Sequence, residues 1–184
     1  FRLPKAITAM LVGSGLSIAG LLMQTLFKNP LAGPFVLGIS SGASLGVAIL
    51  ILGAGIFGGV LTTVSFSSWG LAIASSLGAA IVLLAVLITA HKVKNTMSIL
   101  IIGLMFGTVT SAIISVFTFF SDAEKIQQFV FWGFGSLGNL SWNEILVFFI
   151  IYLISILTLL NVIKPLNTFL LGENYAKSLG INIK

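Results

Sequence analysis

From Asn29 to His91 the chain carries no formal charge, with the lone histidine taken as neutral. A soluble domain draws about a quarter of its residues from Asp, Glu, Lys and Arg. Here 7% of the 184 residues are charged and 58% are hydrophobic, with a mean hydropathy of +1.18. The segments 6–27, 95–121 and 145–163 are likewise free of formal charge. A membrane-spanning helix needs about 20 apolar residues, so these runs predict an all-α, polytopic transmembrane helix bundle. We expect one domain over 1–184, with spans at about 6–27, 35–61, 69–90, 97–120 and 145–163.

The same composition removes whole classes of function. The net charge is +5, but the nine basic residues are scattered at the ends of apolar runs rather than clustered with aromatics, which argues against nucleic acid as a partner. With no cysteine there is no disulfide framework, thiolate metal site or cysteine nucleophile. Neither a phosphate-binding glycine loop nor an H-E-x-x-H metal signature occurs, so no metal or other cofactor is expected. The start, Phe1-Arg2-Leu3-Pro4-Lys5, has no basic region followed by a small-residue cleavage site and reads as no targeting peptide.

Local punctuation is sharpest at Lys28-Asn29-Pro30-Leu31-Ala32-Gly33-Pro34. Each proline lacks an N–H and restricts the residue before it, so this is a hinge between two apolar segments. Beyond it Gly38, Gly42 and Gly46 recur every fourth residue with Ser40, Ser41 and Ser44 between them. That spacing puts glycine on one helix face, which another backbone can approach closely. Gly103, Gly107, Ser111 and Ser115 repeat the pattern in the fourth span.

Around these spans, Gly53, Gly55, Gly58 and Gly59 suggest a broken end to the second, Trp69 suits an interfacial anchor, and His91 to Thr96 forms a short basic loop. Residues 122–134 read as an amphipathic helix lying at the interface. Lys164-Pro165 should stop the fifth span, with Asn167 capping a short helix and Gly180 ending another. Counting basic residues at alternating ends, six fall on the side of the 28–34 turn, the 91–96 loop and the tail, against Arg2, Lys5 and Lys125 on the other. The first side is therefore read as cytoplasmic. Arg2 and Lys5 then sit outside, at a helix N-terminus whose dipole disfavours cations by about 0.3–1 kcal/mol each. Either they reach lipid headgroups or they receive an acidic partner.

One enzyme reading needs weighing. Gly38-Ile39-Ser40-Ser41-Gly42 formally matches G-x-S-x-G, which would make Ser40 the nucleophile of an intramembrane serine protease. The elbow form of that motif requires a preceding strand, and His91 lies beside two lysines with no carboxylate near it in sequence to orient it. The four acids, Asp122, Glu124, Glu144 and Glu173, all fall outside the spans, where a proton- or sodium-coupled carrier would place at least one inside. If the chain serves transport, its energy comes from another subunit.

Taken together, Arg2-Leu3-Pro4-Lys5, the run from Leu11-Val12-Gly13 to Gln24, Asn29-Pro30-Leu31-Ala32, Leu37 to Ala43, and Leu171-Gly172-Glu173 with Ala176-Lys177-Ser178-Leu179-Gly180 resemble the permease subunits of ABC importers for ferric siderophores, haem and vitamin B12. Order and spacing match over essentially the whole chain. The resemblance implies a partial ABC importer permease covering about helices two to six of ten, in a bacterial inner (plasma) membrane. It also implies cytoplasmic ATP-binding subunits, an extracytoplasmic substrate-binding protein, a second permease subunit and surrounding membrane lipid as partners. Ferric siderophore is the expected cargo, with vitamin B12 or haem the alternative.

Residue by residue, the resemblance implies that Leu171, Gly172, Glu173, Ala176, Ser178, Leu179 and Gly180, within a cytoplasmic segment 166–184, couple the permease to the ATPase. Asn95, Thr96 and Met97 match a cytoplasmic gate, although Met97 stands where a small polar residue is expected. Arg2 and Lys5 match the external basic pair that receives the binding protein. Gly38, Gly42, Gly46, Gly103 and Gly107 are read as helix-packing positions with no catalytic role.

Overall fold

The computed structural model describes residues 2–53, 67–91, 93, 96–138, 140–170 and 178. No strand occurs among the described residues. The helices are α1 (Arg2–Phe27), α2 (Ile39–Ile51), α3 (Ser68–Ala90), α4 (Thr96–Phe119), α5 (Ala123–Gly133) and α6 (Trp142–Leu170), with a 3-10 turn at Pro34–Leu37. Four stretches, Arg2–Phe27, Ser68–Ala90, Met97–Phe119 and Trp142–Thr168, are long and apolar enough to cross a membrane. Leu16, Ile73, Ile81 and Met105 on these helices are more than half exposed, a surface that lipid solvates and water does not. The chain divides into two compact units, Phe1–Gly33 with Ser136–Lys184, and Pro34–Gly135.

In the first unit, α1 bonds its hydroxyl side chains to its own backbone. Thr8, Ser14, Ser17 and Thr25 donate to the carbonyls of Pro4, Met10, Gly13 and Leu21 at 2.6–2.9 Å, so an apolar surround meets no unpaired hydroxyl. The helix ends as Lys28 turns left-handed, with φ 48°, and the Asn29 N–H reaches back to the Gln24 carbonyl at 3.2 Å. That six-to-one closure ordinarily uses glycine. Asn29 Oδ1 then accepts the Leu31 N–H at 2.9 Å, a local turn that needs no distant support.

α6 packs on α1. Its start is a complete capping box: the Ser141 N–H donates to Glu144 Oε2 at 2.7 Å, and the Glu144 N–H donates to Ser141 Oγ at 3.4 Å. Tyr152 donates its hydroxyl to Ser14 Oγ at 2.8 Å, and its ring lies where a Cβ on Gly15 would touch it at 3.6 Å. The expected stop at Lys164-Pro165 does not occur, because α6 continues through Pro165 to Leu170. A proline removes one N–H, here the one directed at the Asn161 carbonyl, and near a helix end that loss is tolerable. Residues 166–170 therefore belong to the helix, and Asn167 lies inside it rather than capping a new one.

The second unit is organised by glycine. Pro34–Leu37 forms the 3-10 turn, and Gly38 adopts φ 74° as the N-cap of α2, a left-handed conformation that glycine takes at little cost. The helix therefore starts at Ile39 rather than at residue 35 as expected. It ends at Ile51, capped by Leu52, whose N–H bonds to the Ala48 carbonyl, so it is shorter than the expected 35–61 span, and residues 54–61 lie outside the described residues. α2 crosses α3 at backbone contact: a Cβ on Gly42 would stand 2.7 Å from the Gly78 carbonyl oxygen, and one on Gly46 would overlap the Ala74 carbonyl. Interfaces this close form where small residues let two backbones meet.

Below that crossing Val47, Ala48, Ile51 and Leu52 make a buried cluster, packed against Leu71 of α3, Ile114 and Phe117 of α4, and Ile126, Phe129 and Trp132 of α5. The three α5 residues recur every third position, one face of a short amphipathic helix. Phe129 and Trp132 stack with centroids 6.3 Å apart. Ser121, just before α5, donates to the Phe117 carbonyl at 2.6 Å and lies 3.4 Å from the Leu52 carbonyl. The far side of α5 leaves Phe131 and Phe134 exposed, in edge contact at 6.2 Å.

Candidate functional site

Two helices of the second unit face each other across a hydroxyl-lined groove. α2 contributes Ser40, Ser41 and Ser44, spaced one and three residues apart, and α4 contributes Ser111 and Ser115, one turn apart. With Ile114 and Phe129 they enclose a space of about 440 Å3. A second hollow of about 320 Å3 shares Ser41 and Ser111 and extends along Gly38, Gly103, Gly107 and Thr108.

Glycine makes this space. A Cβ on Gly38 would lie 3.1 Å from the Gly103 carbonyl oxygen, and one on Gly103 would overlap the Val36 carbonyl. A Cβ on Gly107 would stand 3.3 Å from Ser41 Oγ. These backbones meet at one level, and the serines line the gap beside it.

The two walls differ in chemistry. On α4, Ser111 and Ser115 donate to the carbonyls of Gly107 and Ser111 at 2.9 and 3.0 Å, so their oxygens turn lone pairs toward the groove. On α2, the hydroxyls of Ser40, Ser41 and Ser44 have no hydrogen-bond partner among the described residues and offer both donor and acceptor. No charged residue among those described lines either hollow. Such a surface wets a polar solute and holds nothing tightly, since neutral hydrogen bonds exchanged with water contribute only about 0.5–1.5 kcal/mol each.

Among the described residues Ser40 has no catalytic company. It sits in the first turn of α2 with no strand before it among the described residues, and neither an imidazole nor a carboxylate lines its groove. His91 is exposed at the C-terminal end of α3, its N–H bonded to the Leu87 carbonyl at 3.0 Å. A serine without a base to take its proton stays a poor nucleophile. No group of three or more His, Asp or Glu that could hold a metal occurs among the described residues.

The expected docking, gate and coupling positions are not among the described residues that line this groove. Arg2 and Lys5 are exposed on the first turns of α1, and among the described residues neither has an acidic partner. Thr96 opens α4 and Met97 follows it, half exposed, while Asn95 lies outside the described residues. Leu171, Gly172, Glu173, Ala176, Leu179 and Gly180 also lie outside them, and Ser178 is helical and exposed. Gly78 is the residue that sequence reasoning passed over. Its Cβ would overlap the Gly42 carbonyl and lie 2.8 Å from the Gly46 nitrogen, and the signal was Ala74, four residues before it.

The FecCD transport family profile matches residues 1–184, the whole chain. The vitamin B12 import system permease protein BtuC of Salmonella paratyphi A is 34% identical over 182 residues, 98% of this chain and 52% of that protein. BtuC of Klebsiella pneumoniae is 33% identical over 185 residues, again covering 98% and 52%. The chain thus spans about half the length of the curated relatives it matches. Among solved structures, an inward-facing transporter described as of the metal-chelate ABC type superposes with a TM-score of 0.85 at 32% identity, covering 100% of this chain and 56% of that one.

Proposed function

This chain belongs to the FecCD transport family, and from that premise we propose that it is part of the permease subunit of an ATP-driven importer for bulky organic metal chelates. It is a multi-pass inner-membrane protein, with four helices among the described residues long and apolar enough to span. The observation that carries the proposal is the uncharged serine groove between α2 and α4, set in a family whose matched region covers the entire chain. A pathway for a large polar cargo has to be wet enough to admit it and too weakly binding to trap it.

In this reading cytoplasmic ATP-binding subunits supply the energy through the segment from Leu171 to Gly180, and the cytoplasmic gate lies at Asn95, Thr96 and Met97. An extracytoplasmic substrate-binding protein delivers cargo to Arg2 and Lys5, two exposed cations without a counter-charge among the described residues. A second permease subunit completes the membrane portion. Ferric siderophore is our first cargo. Cobalamin is the second reading, favoured by the relatives named for vitamin B12 import.

The test is uptake by the full-length permease, reconstituted with its ATPase and binding protein in proteoliposomes. A radioiron-loaded hydroxamate siderophore and labelled cyanocobalamin are supplied in parallel, with haem as the third arm. ATP-dependent accumulation of the iron complex alone supports the first cargo. Accumulation of cobalamin or haem alone replaces it, and accumulation of none of the three overturns the importer reading.

A further inference from the structure

The end of the Lys5 side chain crowds the place of the side chain that Gly138 lacks. A Cβ on Gly138 would stand 3.0 Å from Lys5 Cε and 3.2 Å from Lys5 Nζ, with Ser136 Oγ next at 3.7 Å. Both residues belong to the same compact unit. The turn that brings Gly138 there is short and self-supporting, because Ser136 Oγ accepts the Gly138 N–H at 3.2 Å. Three residues later the Ser141 and Glu144 capping box fixes the start of α6. Lys5 is exposed all the same, and neither it nor Arg2 has an acidic partner among the described residues.

A free lysine at a helix N-terminus has four rotatable bonds and sweeps a wide volume, so an arriving carboxylate must first pay to order it. With its end against the Gly138 backbone, the same side chain has part of that volume closed to it. We propose that Gly138 is a positioning residue for the docking cation Lys5, and that the Ser136–Gly138 turn forms the second wall of the surface that receives an acidic face of the binding protein. This rests on the docking reading of Arg2 and Lys5 given above.

The geometry makes the idea separable from folding. The atoms in the way of a Cβ are the far end of a flexible side chain, and Gly138 is not among the left-handed glycines. Gly138→Ala should therefore fold normally and displace the lysine end.

The experiment measures acetylation of the Lys5 amine by mass spectrometry, on full-length permease in lipid nanodiscs, with hexaglutamate as the acidic probe. In the parent protein at low salt, hexaglutamate should slow Lys5 acetylation about two- to threefold, the scale of an exposed ion pair. The protection should vanish at high salt. In Gly138→Ala it should fall to within error of none while the thermal midpoint stays unchanged, and Gly13→Ala, whose Cβ meets nothing within 4 Å, should keep it. Full protection in Gly138→Ala overturns the positioning role and leaves the docking reading standing. Absence of protection in the parent overturns the docking reading itself.

Discussion

The carbonyl oxygen of Gly42 on α2 lies where a Cβ on Gly78 of α3 would stand, and the Gly78 carbonyl oxygen lies 2.7 Å from the corresponding place on Gly42. Each glycine is the cavity into which the other's backbone fits. Packing of this kind draws on dispersion and not on the hydrophobic effect, which is weak between helices in lipid.

Gly78→Ala should accordingly destabilise the protein by about 1–3 kcal/mol, the cost of overpacking a tight interface. Gly13→Ala, in open space on α1, should gain up to about 1 kcal/mol from helix propensity. Reversible denaturation in mixed micelles measures both. Equal effects at the two sites would remove the close crossing as a determinant of stability.

The hydroxyl link between Tyr152 and Ser14 joins α6 to α1 at 2.8 Å. A double-mutant cycle of Tyr152→Phe with Ser14→Ala should give a coupling of about 0.6 kcal/mol, the average for hydrogen bonds between membrane helices. Additive single effects would mean that the two side chains act independently.

At the start of α6, Glu144→Ala removes the acceptor for both the N–H and the hydroxyl of Ser141. The expected loss is about 1 kcal/mol, with faster amide exchange confined to the first turn of the helix. Exchange at those amides no faster than in the parent would show that the cap contributes nothing.

For the groove, Ser111→Leu fills the space between α2 and α4 and leaves the α2–α3 crossing at Gly42, Gly46 and Gly78 untouched. ATP-dependent uptake by the reconstituted importer should fall about tenfold, equivalent to ~1.4 kcal/mol on the barrier, with little change in unfolding midpoint. Ser40→Ala should retain most uptake, because a neutral hydroxyl contributes little on its own. Uptake unaffected by Ser111→Leu would take the groove off the pathway, and cleavage of a membrane substrate lost in Ser40→Ala would restore the protease reading.

Hydropathy made four long helices legible because the signal is summed over about 20 residues, and no local exception cancels it. The amphipathic helix expected at 122–134 and found at Ala123–Gly133 was legible for a different reason, its apolar residues recurring at helical spacing. Details that depend on a partner were hidden. Gly78 carries no mark beyond one small residue a turn earlier, since what makes it necessary is the backbone of α2. Gly38 read as one glycine of a helical series, whereas its φ of 74° makes it the point where the helix begins. Pro165 read as a stop, because local rules do not weigh one lost hydrogen bond against the turns of α6 preceding it. The serine groove was half visible: spacing put hydroxyls on one face of each helix, but only their juxtaposition shows that the faces confront each other.

Phe129 belongs to two structures at once. It packs on the buried cluster of Val47, Ala48, Ile51 and Leu52, and it also lines the serine groove. The bore of the groove and the seating of α5 are therefore one thermodynamic variable: anything that widens the space at this end by moving Phe129 must also unseat an aromatic ring and disturb its stacking on Trp132. The groove carries its own spring, and the restoring force is the packing that Phe129 would lose against the core and against Trp132.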